Sequence, residues 1–137
     1  MFAIDPVRLE HVAAVWPEVQ PLFERAVLRS DSWASVEELR ADVGKGDTIL
    51  WLICDSTSLV AAFITGVVVA ARGRLLKAVI LGGSRMSEWL GLWEAKLVDI
   101  AKVENCKAVV VVGRKGWKRT LERCGWAEGP VTMFRTI

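Results

Sequence analysis

The chain contains no tyrosine and a single histidine, His11. Without tyrosine there is no phenol to hand over a proton in an otherwise apolar site. One histidine and three cysteines without C-x-x-C spacing make a zinc site a poor fit, so no metal is expected. Cys54, Cys106 and Cys124 read as buried thiols of a reducing compartment. Any cysteine nucleophile would have to draw on the same His11, and no Gly-x-Ser-x-Gly elbow or P-loop occurs. Long apolar runs are also missing. The longest, Leu59 to Ala71, is too short to cross a bilayer as a helix and is closed by Arg72, Gly73 and Arg74. Asp5, Arg8 and Glu10 interrupt the apolar stretch that a signal peptide needs. The expectation is a cytoplasmic protein without membrane contact.

What is present is apolar and rich in tryptophan. The 137 residues form one expected domain, 1–137, long enough to bury about two thirds of its unfolded surface. Hydrophobic residues make up 53%, and the seven Trp outnumber the four Phe. Exposed indoles would anchor contacts with other protein subunits; a Trp-rich core is the other reading, and composition leaves both open. Charge is uneven: residues 1–106 carry 11 Lys and Arg against 14 Asp and Glu, residues 107–137 seven against two. The basic end holds Arg114, Lys115, Lys118, Arg119 and Arg123, with Trp117 among them. It fits weak, salt-dependent contact with nucleic acid, a grip on a cofactor phosphate, or a solvated helix face.

The pattern of periods gives an order of elements. Val12, Trp16, Val19, Phe23 and Val27 recur at helical spacing, with a kink expected where Pro17 and Pro21 interrupt. Ser35 and Glu38 form a capping box for a second helix, with Leu39 and Val43 inward and Gly44 at its left-handed end. Strands follow over Thr48–Cys54, Leu59–Ala71 and Leu75–Leu81, with turn chemistry at Asp55–Ser58 and a bulge or bend at Gly66. A long helix runs from about Ser84 or Ser87 to Val103, its seam formed by Leu90, Trp93, Leu97 and Ile100, and Asn105 stops it. Cys106–Val112 is apolar enough to sit centrally in a sheet, parallel to the strand before the helix. A short helix, Trp117–Cys124, is closed by Gly125, and a last strand covers Val131–Thr136.

This order resembles the GNAT superfamily of N-acetyltransferases over nearly the whole chain. Leu121-Glu122-Arg123-Cys124-Gly125-Trp126 is similar to that family's Tyr-x-x-x-Gly-Phe, and Gly113-Arg114-Lys115-Gly116-Trp117 resembles small, divergent GNAT-like proteins of tailed bacteriophages. The resemblance implies a mixed, mostly antiparallel α/β sheet with one parallel pair and helices on both faces. It implies acetyl-CoA as a possible cofactor, with the pyrophosphate held by backbone N–H groups after the strand that precedes the long helix. The matching residues are Leu81, Gly82, Gly83, Ser84 and Arg85, with Arg114 available to a phosphate; the loop is shorter than the family's and out of register with its motif. A tight strand-to-helix turn capped by Ser84 fits the same residues.

The family's acid is a Tyr, and here that position is Leu121, so the catalytic residues are unknown. The strand Leu75–Leu81 holds no carboxylate for a base, and Glu88, Glu94 and Asp99 read as the solvated face of the long helix. Two functions stay open. One is a degenerate, non-catalytic relative acting through protein contacts, within or alongside a phage particle or with itself. The other is an active acetyl-CoA-dependent N-acetyltransferase on a small-molecule or protein amine. The lack of proton-transfer groups favours the first.

Overall fold

Phe2 and Ile4 alternate with Ala3 and Asp5, and this short period places a strand ahead of the first helix, where the pattern of periods assigned none. In the computed structural model, which describes residues 1–29, 34–111, 115–129, 135 and 137, β1 (Ala3–Pro6) pairs antiparallel with β2 (Thr48–Cys54). Four residues are too few for a periodicity signal to stand out beside the helix that follows. The sheet continues through β3 (Leu59–Ala70) and β4 (Gly73–Gly83) to β5 (Ala108–Val111), in the order β1-β2-β3-β4-β5. The first three pairings are antiparallel and the last is parallel, the expected mixed α/β architecture.

Two apolar clusters cover the two faces. On one, α1 (Val12–Arg29) and α2 (Val36–Gly44) pack Trp16, Val19, Phe23, Leu39 and Val43 against Leu50, Ala62 and Ile64. On the other, α3 (Met86–Val103) and α4 (Lys115–Glu122) bring Trp89, Trp93, Leu97 and Leu121 onto Trp51, Ile53, Phe63 and Leu76. The seam of α3 starts one residue earlier than expected, since Trp89 is buried and Leu90 half-buried.

Several local expectations are corrected. α1 runs unbroken through Pro17 and Pro21, after a 3-10 turn at Leu9–His11. Both prolines are exposed and four apart, so the carbonyls they displace, of Ala13 and Pro17, lie on the side that water can reach. The Ser35 hydroxyl accepts the Glu38 N–H at 3.2 Å, as a capping box requires, but the left-handed turn after α2 falls at Gly46 (φ +82°), not Gly44. The bulge lies in β4 and not at Gly66: Ile64 pairs with Ile80 and Thr65 with Ala78, leaving Val79 extra. The cysteines are not buried; Cys54 and Cys106 are half-exposed and Cys124 is exposed.

Among the described residues β5 is the outermost strand of the sheet, with Val110 36% exposed, and the expected neighbour that would make it central lies outside them. The inner face of β5 packs against the α3 cluster through Val109 and Val111, which accounts for half of its apolar character. The expected last strand, Val131–Thr136, lies outside the described residues apart from Arg135. Tryptophan makes core, not surface: Trp16, Trp51, Trp89 and Trp93 are buried and Trp117 and Trp126 half-buried, while Trp33 lies outside the described residues.

Candidate functional site

The bulge at Val79 positions the candidate site. Among the described residues the pairing of β4 with β5 runs from Leu75↔Ala108 to Ala78↔Val111, and β4 itself continues to Gly83. An extra residue bends its strand and ends a ladder. Open α/β sheets take ligands at the carboxyl ends of their parallel strands, the end to which β4 leads. The expected cofactor residues, Leu81 to Arg85, lie along this stretch and lead into the N-terminus of α3.

Each residue of that loop has an internal partner. A Cβ on Gly82 would stand 2.5 Å from the Leu22 carbonyl oxygen, so α1 crosses β4 in direct backbone contact. A Cβ on Gly83 would stand 2.4 Å from the Ala61 Cβ and 2.5 Å from the Val60 oxygen, and its φ of +149° already favours glycine. The Ser84 N–H donates to Val60 O at 3.0 Å, and Ser84 O accepts the buried Trp89 indole N–H at 2.7 Å. Ser84 does not cap α3. Arg85 stands at the N-cap in the left-handed conformation, φ +60°, which is unfavourable for a side chain of this kind.

The Arg85 guanidinium is spoken for. Its Nη1 donates to Asp55 Oδ2 at 2.7 Å, its Nε to Glu88 Oε2 at 2.8 Å and its Nη2 to Glu88 Oε1 at 3.1 Å. The Phe2 ring lies 5.1 Å from its centre. Asp55 belongs to the β2–β3 turn, where its Oδ1 accepts the N–H groups of Thr57 at 2.8 Å and Ser58 at 2.7 Å. The Thr57 N–H, then Arg85 and the Ser58 N–H, hold this carboxyl well below the usual carboxylate range. Arg85 lowers Glu88 in the same way, and the two acids raise the guanidinium further. Glu88 also lies in the first turn of α3, where a carboxylate meets the positive end of the helix dipole. Two carboxylates thus stand where an anion would be drawn.

Leu121, the position of the family's acid, is buried at 7% exposure in the cluster with Trp93. Beside it the Trp93 and Trp117 rings meet edge to face with centroids 5.9 Å apart, and neither indole N–H has a hydrogen-bond partner. Of the helix acids, Glu94 is not simply solvated: it is half-buried and accepts the Trp126 indole N–H at 3.2 Å. Arg114 lies outside the described residues. Of the remaining basic residues, Lys118 is held by Glu128 at 2.6 Å, while Arg119 and Arg123 are exposed. Among the described residues no group of three or more His, Cys, Asp or Glu is placed to hold a metal ion, and no helix is long and apolar enough to cross a membrane.

A cleft lies elsewhere among the described residues. It has a volume of about 460 Å³ and opens between the far half of α3, the start of β5 and the turn after α4, lined by Glu94, Lys102, Cys106, Lys107, Cys124 and Trp126 among others. From Arg85 to Ala101 a helix rises roughly 24 Å, so this cleft and the Gly82–Arg85 loop lie at opposite ends of α3.

No protein-family sequence model matches the chain, and no characterised protein matches it significantly by sequence. Structure comparison does find similar folds. Glucosamine-6-phosphate N-acetyltransferase of Arabidopsis thaliana superposes with a TM-score of 0.67 at 16% identity, over 99% of this chain and 98% of that one. A GNAT family acetyltransferase of Staphylococcus aureus gives 0.68 at 10% identity, over 99% and 98%. A predicted acetyltransferase of Clostridium acetobutylicum, solved with acetyl-CoA, gives 0.68 at 10%, over 99% and 96%. The chain therefore has the fold of the GNAT N-acetyltransferases.

Proposed function

We propose that this chain is a degenerate GNAT-fold protein that acts through protein contacts and does not transfer acetyl groups. The observation that carries the reading is the Arg85 fork, bound on both sides by Asp55 and Glu88 at the helix start where a pyrophosphate would sit. Two carboxylates at that helix terminus repel a phosphate instead of receiving it. The loop glycines admit the backbones of α1 and β3, so their presence is accounted for without a ligand. A buried leucine fills the acid position. The residues present do not fit a pyrophosphate cradle. The setting that the resemblance of Gly113–Trp117 implies is a phage particle or its assembly in the host cytoplasm.

Thermal unfolding with and without millimolar acetyl-CoA tests this. A ligand at one hundred times its Kd adds about 2.7 kcal/mol to the folded state, which moves the midpoint by roughly 3–5 °C per kcal/mol. No shift is expected, and a clear shift removes the proposal. The second reading is an active N-acetyltransferase, favoured by the course of β4 past its Val79 bulge into the start of α3 and by the acetyl-CoA bound to the Clostridium acetobutylicum protein. It requires acetyl-CoA binding and transfer to an amine at a rate above the uncatalysed one.

A further inference from the structure

β3 is longer than the strand beside it. Its pairing with β2 ends at Thr48↔Gly66, and Val67 to Ala70 pair on the β4 side alone, with Val67↔Leu76, Val68↔Leu75, Val69↔Arg74 and Ala70↔Gly73. Among the described residues the β3–β4 hairpin thus carries a four-residue open edge on its β2 side, bounded by the start of β2 and by its own turn. That edge is wholly apolar. Val68 is 44% exposed and Val69 76% exposed. Ile49, two residues before the Trp51 that packs under α3, lies on the same face as Val67 and Val69 and is 42% exposed. An exposed apolar edge without a blocking charge, proline or bulge is a template for strand addition. At its inner end the Thr48 hydroxyl oxygen is enclosed and has no hydrogen-bond partner.

We infer that this edge binds a second copy of the same chain, by antiparallel pairing of the two β3 extensions across a twofold axis. The inference rests on the proposed role in protein contacts and names the partner. The edge is self-complementary: Val69 stands opposite Val69 of the partner subunit and Val68 opposite Ala70 of the partner subunit, an isologous contact that closes at two. The pairing is also bounded by sterics, because beyond four residues each strand meets the partner's β2. At that boundary the Arg72 end of one hairpin abuts the start of β2 in the other, where Asp47 of the partner subunit stands. Arg72 and Asp47 are exposed, and among the described residues neither has an ion-pair partner within its own chain. The twofold axis makes this charge match twice. Four residues a side place the contact among small, transient interfaces, with a Kd on the order of tens of micromolar.

Sedimentation equilibrium of the whole chain from roughly 5 to 500 µM tests it, a range that brackets such a Kd. Wild type is expected to pass from monomer to dimer and no further. Val69→Glu, at an exposed position that folding does not need, is expected to weaken the dimer at least about tenfold. Arg72→Asp and Asp47→Arg each weaken it by about two- to fivefold, and together restore it. A monomer at the highest concentration, a dimer indifferent to Val69→Glu, or charge variants whose combination does not recover the dimer each overturns the inference. Thermal unfolding with acetyl-CoA on the same samples separates the two claims. A monomer without an acetyl-CoA shift refutes the dimer alone, whereas a shift refutes the non-catalytic reading and leaves the dimer to its own result.

Discussion

The loop Gly82–Arg85 and the tip of the β3–β4 hairpin are built from opposite principles. In the loop each glycine is matched by a backbone, and the carbonyl, the N–H and the guanidinium all have internal partners. At the tip, valines stand in solvent beside an unpaired ladder edge. Groups satisfied within the chain have little left to offer a ligand, whereas unsatisfied ones gain by meeting a partner. The place that resembles a binding site is closed by its own chain, and the place with no motif is open.

The comparison breaks most sharply at Gly83. Valine there forces a Cβ into the Ala61 contact and a side chain into a left-handed φ, and is expected to cost about 3–5 kcal/mol from overpacking and strain together. Thermal unfolding would show it; a midpoint within a few degrees of wild type would mean the glycine serves a ligand and not packing. Trp93→Ala should cost a similar ~3–5 kcal/mol, since that ring is fully buried between Phe63 and Trp117. An effect near zero would show that the α3 face is not the core.

Freeing the cation sharpens the contrast. In Asp55→Asn with Glu88→Gln, Arg85 loses both carboxylates, and affinity for inorganic pyrophosphate by calorimetry is expected to rise about tenfold, two charge-assisted contacts becoming available. Unchanged affinity would show that the two acids do not block the site. The pH response of Asp55 has a fixed sign. Its folded-state carboxyl titrates below the ordinary value near 4, so its contribution is complete above that value and is lost as the pH falls through the range beneath it. The midpoint difference between wild type and Asp55→Asn should therefore shrink from pH 6 towards pH 2. A constant difference would contradict the assignment. Smallest is the stability effect of Val69→Glu, expected within about 0.5 kcal/mol of wild type because the side chain is exposed; a larger loss would mean the tip is packed.

Much of the fold could be read from residue order because it rests on local periodicity. The buried stripe of α1, the cap of α2, the lengths of β2 and β3 and the closing turn at Gly125 (φ +91°) follow from patterns within a few residues. The errors fell where long-range packing overrides local rules. Pro17 and Pro21 stay in one helix because both face solvent, and β1 exists because β2 offers it a ladder. At the site, the glycines and Arg85 were visible, but their partners were not: Asp55 lies thirty residues before Arg85, and Leu22 lies in another layer.

The order of residues by itself establishes an α/β chain, and its resemblance to the GNAT pattern implies a leucine at the Tyr position and a shortened loop. Whether the loop glycines meet a phosphate or a backbone, and whether Arg85 is free or held, depends on which segments cross there. Such crossings are fixed by how two layers pack on a sheet, and the open edge at Val67–Ala70 exists because β3 outruns β2, a matter of pairing register between segments distant in sequence.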